Sequence, residues 1–121
     1  MKLNPLPLHE AGQHATLARM SLDKQFHGDL DGTSHGEMLT AAGTVKSSAA
    51  YVAIERFTGT LHGHEGSFAL HHTGLMTRGT PGLTISVVPD SGTEGLTGLT
   101  GTMTINIVDG KHSYGFDYSL P

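Results

Sequence analysis

From His14 onward, apolar and polar residues alternate along segments of about six to twelve residues, each closed by a cluster of Gly, Asp or Ser. Successive side chains of a strand point to opposite faces of its sheet, so this pattern predicts β-structure, and no stretch shows an amphipathic helical period. The predicted strands are Ala15 to Phe26, Leu30 to Ala41, Ala49 to Leu61, Ser67 to Met76, Leu83 to Val88, Gly101 to Val108 and His112 to Leu120. Gly63-His64-Glu65-Gly66 and Asp109-Gly110 read as hairpin turns, with glycine where positive φ is needed. Pro89-Asp90-Ser91-Gly92 reads as a loop whose Asp90 and Ser91 side chains bind local backbone amides. Pro5 and Pro7 bar the opening Met1 to Gln13 from a helix interior or a central strand, which leaves an extended arm or edge strand.

Consecutive hairpins make an up-and-down meander, and a twisted meander of roughly eight strands sheds its edges by closing on itself. The expected fold is therefore all-β: one domain over residues 1–121, a small antiparallel barrel whose interior is filled by side chains or holds one small ligand. Parity sorts the lining. Met20, Leu22, Lys24 and Phe26 share one face of the first strand after the arm, with Lys24 the only charge among them. Leu30, Ser34 and Met38 share a face with Gly32 and Gly36. The next strand divides Tyr51, Ala53, Glu55 and Phe57 from Val52, Ile54, Arg56 and Thr58 with apolar residues on both faces, and the aromatic set is taken as inward. Phe68, Leu70 and His72 follow, and the chain ends in an inward row of His112, Tyr114, Phe116, Tyr118 and Leu120.

Composition narrows the function. The chain has 121 residues, 36 % of them hydrophobic, enough for one modest core. No cysteine is present, which removes disulfides, thiolate nucleophiles and Cys-ligated zinc together. Seven Lys and Arg stand against 11 Asp and Glu, giving a net charge of −4 without a basic cluster, so nucleic acid is not an expected partner. The apolar runs are strand-sized, and Met1 to Glu10 lacks the regions of a signal peptide. A soluble cytoplasmic protein without a membrane partner is the expectation.

Burial of Lys24, Glu55 and His72 would disfavour each charged form, so only mutual pairing or hydrogen bonding offsets the cost. Three readings follow, the first a barrel that binds a small apolar or aromatic molecule in its lumen without catalysis, with Lys24, Glu55, His72 and Tyr114 as the polar groups that orient it. Glu55 and His72 could be a general acid/base pair over a small apolar or aromatic ligand, with Lys24, Ser34, Met38, Tyr51, Phe68, Tyr114 and Tyr118 as its contacts, in proton transfer, isomerisation or cyclisation. Alternatively they form an internal polar network that fixes strand register in a filled, purely structural lumen. No cofactor is expected. The nine histidines invite a metal reading, with His62 and His64 sharing a face at i, i+2 and His71-His72 across the next hairpin. Glu65 falls on the opposite parity from a cupin-type carboxylate, so solvated turn histidines and no metal are expected. Ser91, His72 and Asp90 would make a triad only on paper, since no nucleophile-elbow context surrounds the serine.

Several blocks carry a resemblance to a known family: Arg19-Met20-Ser21-Leu22-Asp23-Lys24, Gly28-Asp29-Leu30, Ser34-His35-Gly36-Glu37-Met38-Leu39, Ala50-Tyr51-Val52-Ala53-Ile54-Glu55, Gly66-Ser67-Phe68, Val87-Val88-Pro89-Asp90-Ser91-Gly92-Thr93 and Gly110-Lys111-His112-Ser113-Tyr114. In order and over nearly the whole chain, they resemble a bacterial family of small proteins classed as a domain of unknown function, with folds similar to the allene oxide cyclase barrel. The resemblance implies an eight-stranded antiparallel barrel, a homo-oligomer (dimer or higher) and no accepted activity. Relatives usually have a further β segment before the stretch matching Lys2 to Leu6, so an edge here would be covered by the Pro-containing arm or a second subunit.

Overall fold

Alternation and turn chemistry produce eight strands in the computed structural model, which describes residues 2–6 and 17–121. They are β1 (Lys2–Leu6), β2 (Leu17–Phe26), β3 (Leu30–Ala42), β4 (Ala49–Leu61), β5 (His64–Thr77), β6 (Thr80–Val87), β7 (Thr100–Val108) and β8 (Lys111–Ser119). All join one sheet in chain order, each antiparallel to the next. The predicted arm thus supplies an edge strand at its start; its remainder to Gln13 lies outside the described residues, as does the side chain of His112.

Two hairpins correct the expected boundaries. The β4–β5 turn is His62–Gly63, with φ of 47° and 81°, so Leu61 pairs with His64. Both central residues adopt the positive φ of the twist-matched two-residue turn, which histidine tolerates better than bulky residues do. The predicted turn of Gly63 to Gly66 is therefore mostly strand, and Gly66 lies within β5, where Leu96 packs against it. Arg78–Gly79, with φ of 49° and 88°, makes the same kind of turn between β5 and β6. It carries both strands past their predicted ends. Asp109–Gly110 turns as expected, at 51° and 76°.

The ladders are uneven. β4 pairs with β3 and with β5 along its whole length, whereas β6 and β7 meet only at Ile85↔Met103 and Ser86↔Thr102. Among the described residues no ladder joins β8 to β1, so the meander is an open, curled sheet. β8 nevertheless folds back over the others: Phe116 stacks on Phe68 with centroids 5.9 Å apart, and Tyr114 meets Phe26 edge-on at 5.4 Å.

Inside the curl, Leu30, Phe57, Leu61, Phe68, Leu70 and Ile85 are essentially inaccessible to solvent, each such burial contributing about 1.5–3 kcal/mol. The β6–β7 connection adds Leu96 and Leu99 to this core. It is laced to β5: Val88 N donates to Ala69 O, Thr93 N to Ser67 O, and Ala69 N to Ser91 Oγ at 3.0 Å. Ser91 therefore holds a strand amide rather than a local one, and among the described residues no contact links it to His72. No helix of the described residues is long and apolar enough to cross a membrane.

Candidate functional site

The inner face is best read by rows across the strands. One row runs Leu22, Gly36, Glu55, Leu70; the next runs Met20, Met38, Ala53, His72, Ile85, Met103, Phe116; a third runs Thr40, Tyr51, Gly74, Leu83. Glu55, 0 % exposed, is thus placed between Lys24 and Ser34 on one side and His72, 3 % exposed, on the other. Diagonal neighbours of this kind lie within reach of long side chains.

Glu55 collects three contacts. Lys24 Nζ donates to Oε2 at 2.8 Å, and Ser34 Oγ donates to Oε1 at 2.7 Å. His72 Nε2 lies 2.7 Å from Oε2, but its ring is turned so that no hydrogen bond forms along that line, which makes this a close electrostatic contact. Gly36 makes room for the cluster, because a Cβ there would fall 2.0 Å from Ile54 O and 2.6 Å from Glu55 Cα. Burial by itself would raise the Glu55 pKa; the His72 contact, the Lys24 ammonium and the Ser34 hydroxyl more than offset it and hold the carboxyl at about 2. Glu55 is therefore a buried anion at neutral pH.

Above His72 the inner face opens into a pocket of about 420 Å3, lined by Met38, Thr40, Tyr51, Gly74, Met76 and Leu83 among others. Its walls carry no charged side chain. The Tyr51 ring lies over the bare Cα of Gly74, where a Cβ would come 2.2 Å from the Tyr51 Cε1, and its centroid is 6.5 Å from that of His72. Its hydroxyl has no hydrogen-bond partner among the described residues. Burial, then the Glu55 charge, pushes the phenol pKa up, so it stays a donor.

Sequence-predicted contacts divide among four places. Glu55, His72, Lys24 and Ser34 form the central cluster, while Met38 and Tyr51 line the apolar mouth. Phe68 is fully buried in the core. Tyr114 and Tyr118 line a separate pocket of about 430 Å3 beside the β2–β3 and β4–β5 turns. Tyr114 Oη donates to Leu30 O at 3.1 Å. Gly74 and Leu83 went unnamed because only the register shows that they flank Tyr51 in one row. His62 and His64 do not share a strand face, since His62 is a turn residue; both are exposed, as is His71, while His72 points inward. Among the described residues no group of three or more His, Asp or Glu could hold a metal ion.

The fold and this cluster define a class: an eight-stranded antiparallel meander with an ion-paired carboxylate in its interior and a cavity toward each end of the curl. The chain belongs to the DUF3224 family, proteins of unknown function, whose family pattern it matches over residues 2–118. It is similar to the crystal structure of a DUF3224 protein of unknown function from Shewanella oneidensis MR-1, with 49% identity and a TM-score of 0.93, over 99% of this chain and 90% of that one. No curated protein matches it.

Proposed function

We propose that this protein binds a small, uncharged apolar or aromatic molecule in the mouth lined by Met38, Tyr51, Gly74, Met76 and Leu83. The observation that carries the reading is the charge-free pocket of about 420 Å3 with one unpartnered phenol in its wall. That volume falls in the range of ligand sites, which combine apolar walls with a few orienting polar groups. Tyr51 supplies the donor, and the buried Glu55 anion behind it disfavours a negatively charged ligand. Because Phe57, Phe68 and Leu70 fill the centre, the reading assigns the ligand to the mouth rather than the deep lumen. The sequence resemblance to a family with allene-oxide-cyclase-like folds implies a fold only, and a fold alone carries no activity. Proton transfer through Glu55 is opposed by a carboxyl held at about 2, far from the neutral range in which a general base works best.

Titration with 2-naphthol, followed by its own fluorescence, tests the proposal. One saturable site is expected, weakened about tenfold or more by Leu83→Asp, which places a charge in the mouth at a half-exposed position. Tyr118→Ala, in the other pocket, should leave it unchanged. Equal binding by Leu83→Asp, or none by the parent protein, would overturn it.

A further inference from the structure

The pocket beside the β2–β3 and β4–β5 turns is built from different chemistry. Tyr114, Phe116 and Tyr118 of β8 form one wall, and His27, Asp29 and His62 stand at the turns. Three of these side chains are connected in series. His62 Nε2 lies 3.1 Å from Asp29 Oδ2, and His62 Nδ1 is hydrogen-bonded to the Tyr118 hydroxyl. Which of the two donates depends on the imidazole tautomer; either way the Tyr118 oxygen keeps a lone pair, and the Asp29 carboxylate stands beside Nε2.

The consequence concerns what is left over. Tyr118 keeps an acceptor lone pair beside its bond to His62, and Asp29 retains its second oxygen. Tyr114 spends its proton on Leu30 O. The pocket therefore holds several acceptors, and among its described lining residues there is no lysine or arginine. The Asp29 and Asp31 charges, after burial, push the Tyr114 phenol pKa up, reporting a negative potential there. Aromatic ring faces add attraction for a cation.

We infer that this pocket is a second binding site, for an organic cation with an aromatic body and N–H donors, such as a protonated aryl-alkyl amine. The ring packs against Tyr114, Phe116 and Tyr118, and the ammonium donates to Tyr118 and Asp29. This inference is independent of the apolar mouth, since no residue lines both pockets.

The test is a titration with phenethylammonium chloride, 2-phenylethanol and phenylacetate, followed by backbone amide shifts in NMR. The amine should bind about tenfold more tightly than the alcohol, with the carboxylate weakest. Shifts should concentrate at residues 27–30 and 113–118. Asp29→Asn should erase the preference for the amine, Tyr118→Phe should weaken the amine severalfold while keeping the ring, and Tyr51→Phe should change nothing. Asp29 is exposed, so its variant keeps the fold. Equal binding of amine and alcohol, an undiminished amine preference in Asp29→Asn, or shifts confined to the mouth at residues 38–51 and 74–83 would each overturn the inference.

Discussion

The two pockets are nearly equal in size, about 430 and 420 Å3, and opposite in chemistry. The one beside β8 has a carboxylate, two histidines and two phenols already hydrogen-bonded within the protein. The mouth has aliphatic walls and a phenol whose proton is free. Volume therefore says little about occupancy; whether each hydroxyl already has a partner says more. What separates the pockets is the filled centre, where Phe57 and Phe68 pack at 5.1 Å beside the Glu55 cluster.

The largest effect comes from breaking that centre. Glu55→Gln should cost about 3 kcal/mol in urea unfolding at neutral pH, because it strands Lys24 beside a neutral amide. The parent carries the same quantity in its pH dependence. The folded carboxyl sits at about 2 against an ordinary 4.5, so its contribution is complete above about pH 4.5 and is lost as pH falls toward 2, roughly 3 kcal/mol in all. The variant should lose this part of the acid slope. An unchanged slope between those limits would mean that Glu55 is not the anion described here.

Much of this arrangement was legible in the chain. Alternation put Lys24, Ser34 and His72 on the inner face, because one buried face fixes strand parity, whereas on β4 both faces carry apolar residues and the aromatic pair Tyr51 and Phe57 decided for Glu55. It could not show that Tyr114 and Tyr118 stand apart from Glu55, since parity assigns a face and not a row, and rows depend on register. Register turned on His62–Gly63: reading the turn one residue late shortened β5 and hid Gly66 inside it. The Asp29–His62–Tyr118 series was beyond reach for a stronger reason, as it joins two turns and a terminal strand far apart in sequence. Closure was over-predicted, because alternation cannot reveal that among the described residues no ladder joins β8 to β1.

A middle-sized effect sharpens the contrast between the ends. Gly74→Ala would put a methyl 2.2 Å from the Tyr51 Cε1, and the ring, being a mobile side chain, must swing away into the mouth. A cost of about 1–2 kcal/mol in stability is expected, with 2-naphthol bound about tenfold more weakly and phenethylammonium unaffected. Equal losses at both pockets would show that the centre transmits strain and that the ends are not independent.

The smallest effect isolates the free proton itself. Tyr51→Phe retains the ring over Gly74 and removes only the hydroxyl, so stability should be unchanged or slightly raised, since no protein hydrogen bond is broken among the described residues. A neutral hydrogen bond contributes about 0.5–1.5 kcal/mol, so 2-naphthol, whose oxygen can accept it, should weaken by a factor of about two to ten. Naphthalene, with no acceptor, should bind parent and variant alike. If both ligands weaken together, the phenol acts by shaping the pocket; if neither does, its proton plays no part in recognition, and the mouth discriminates by apolar contact alone.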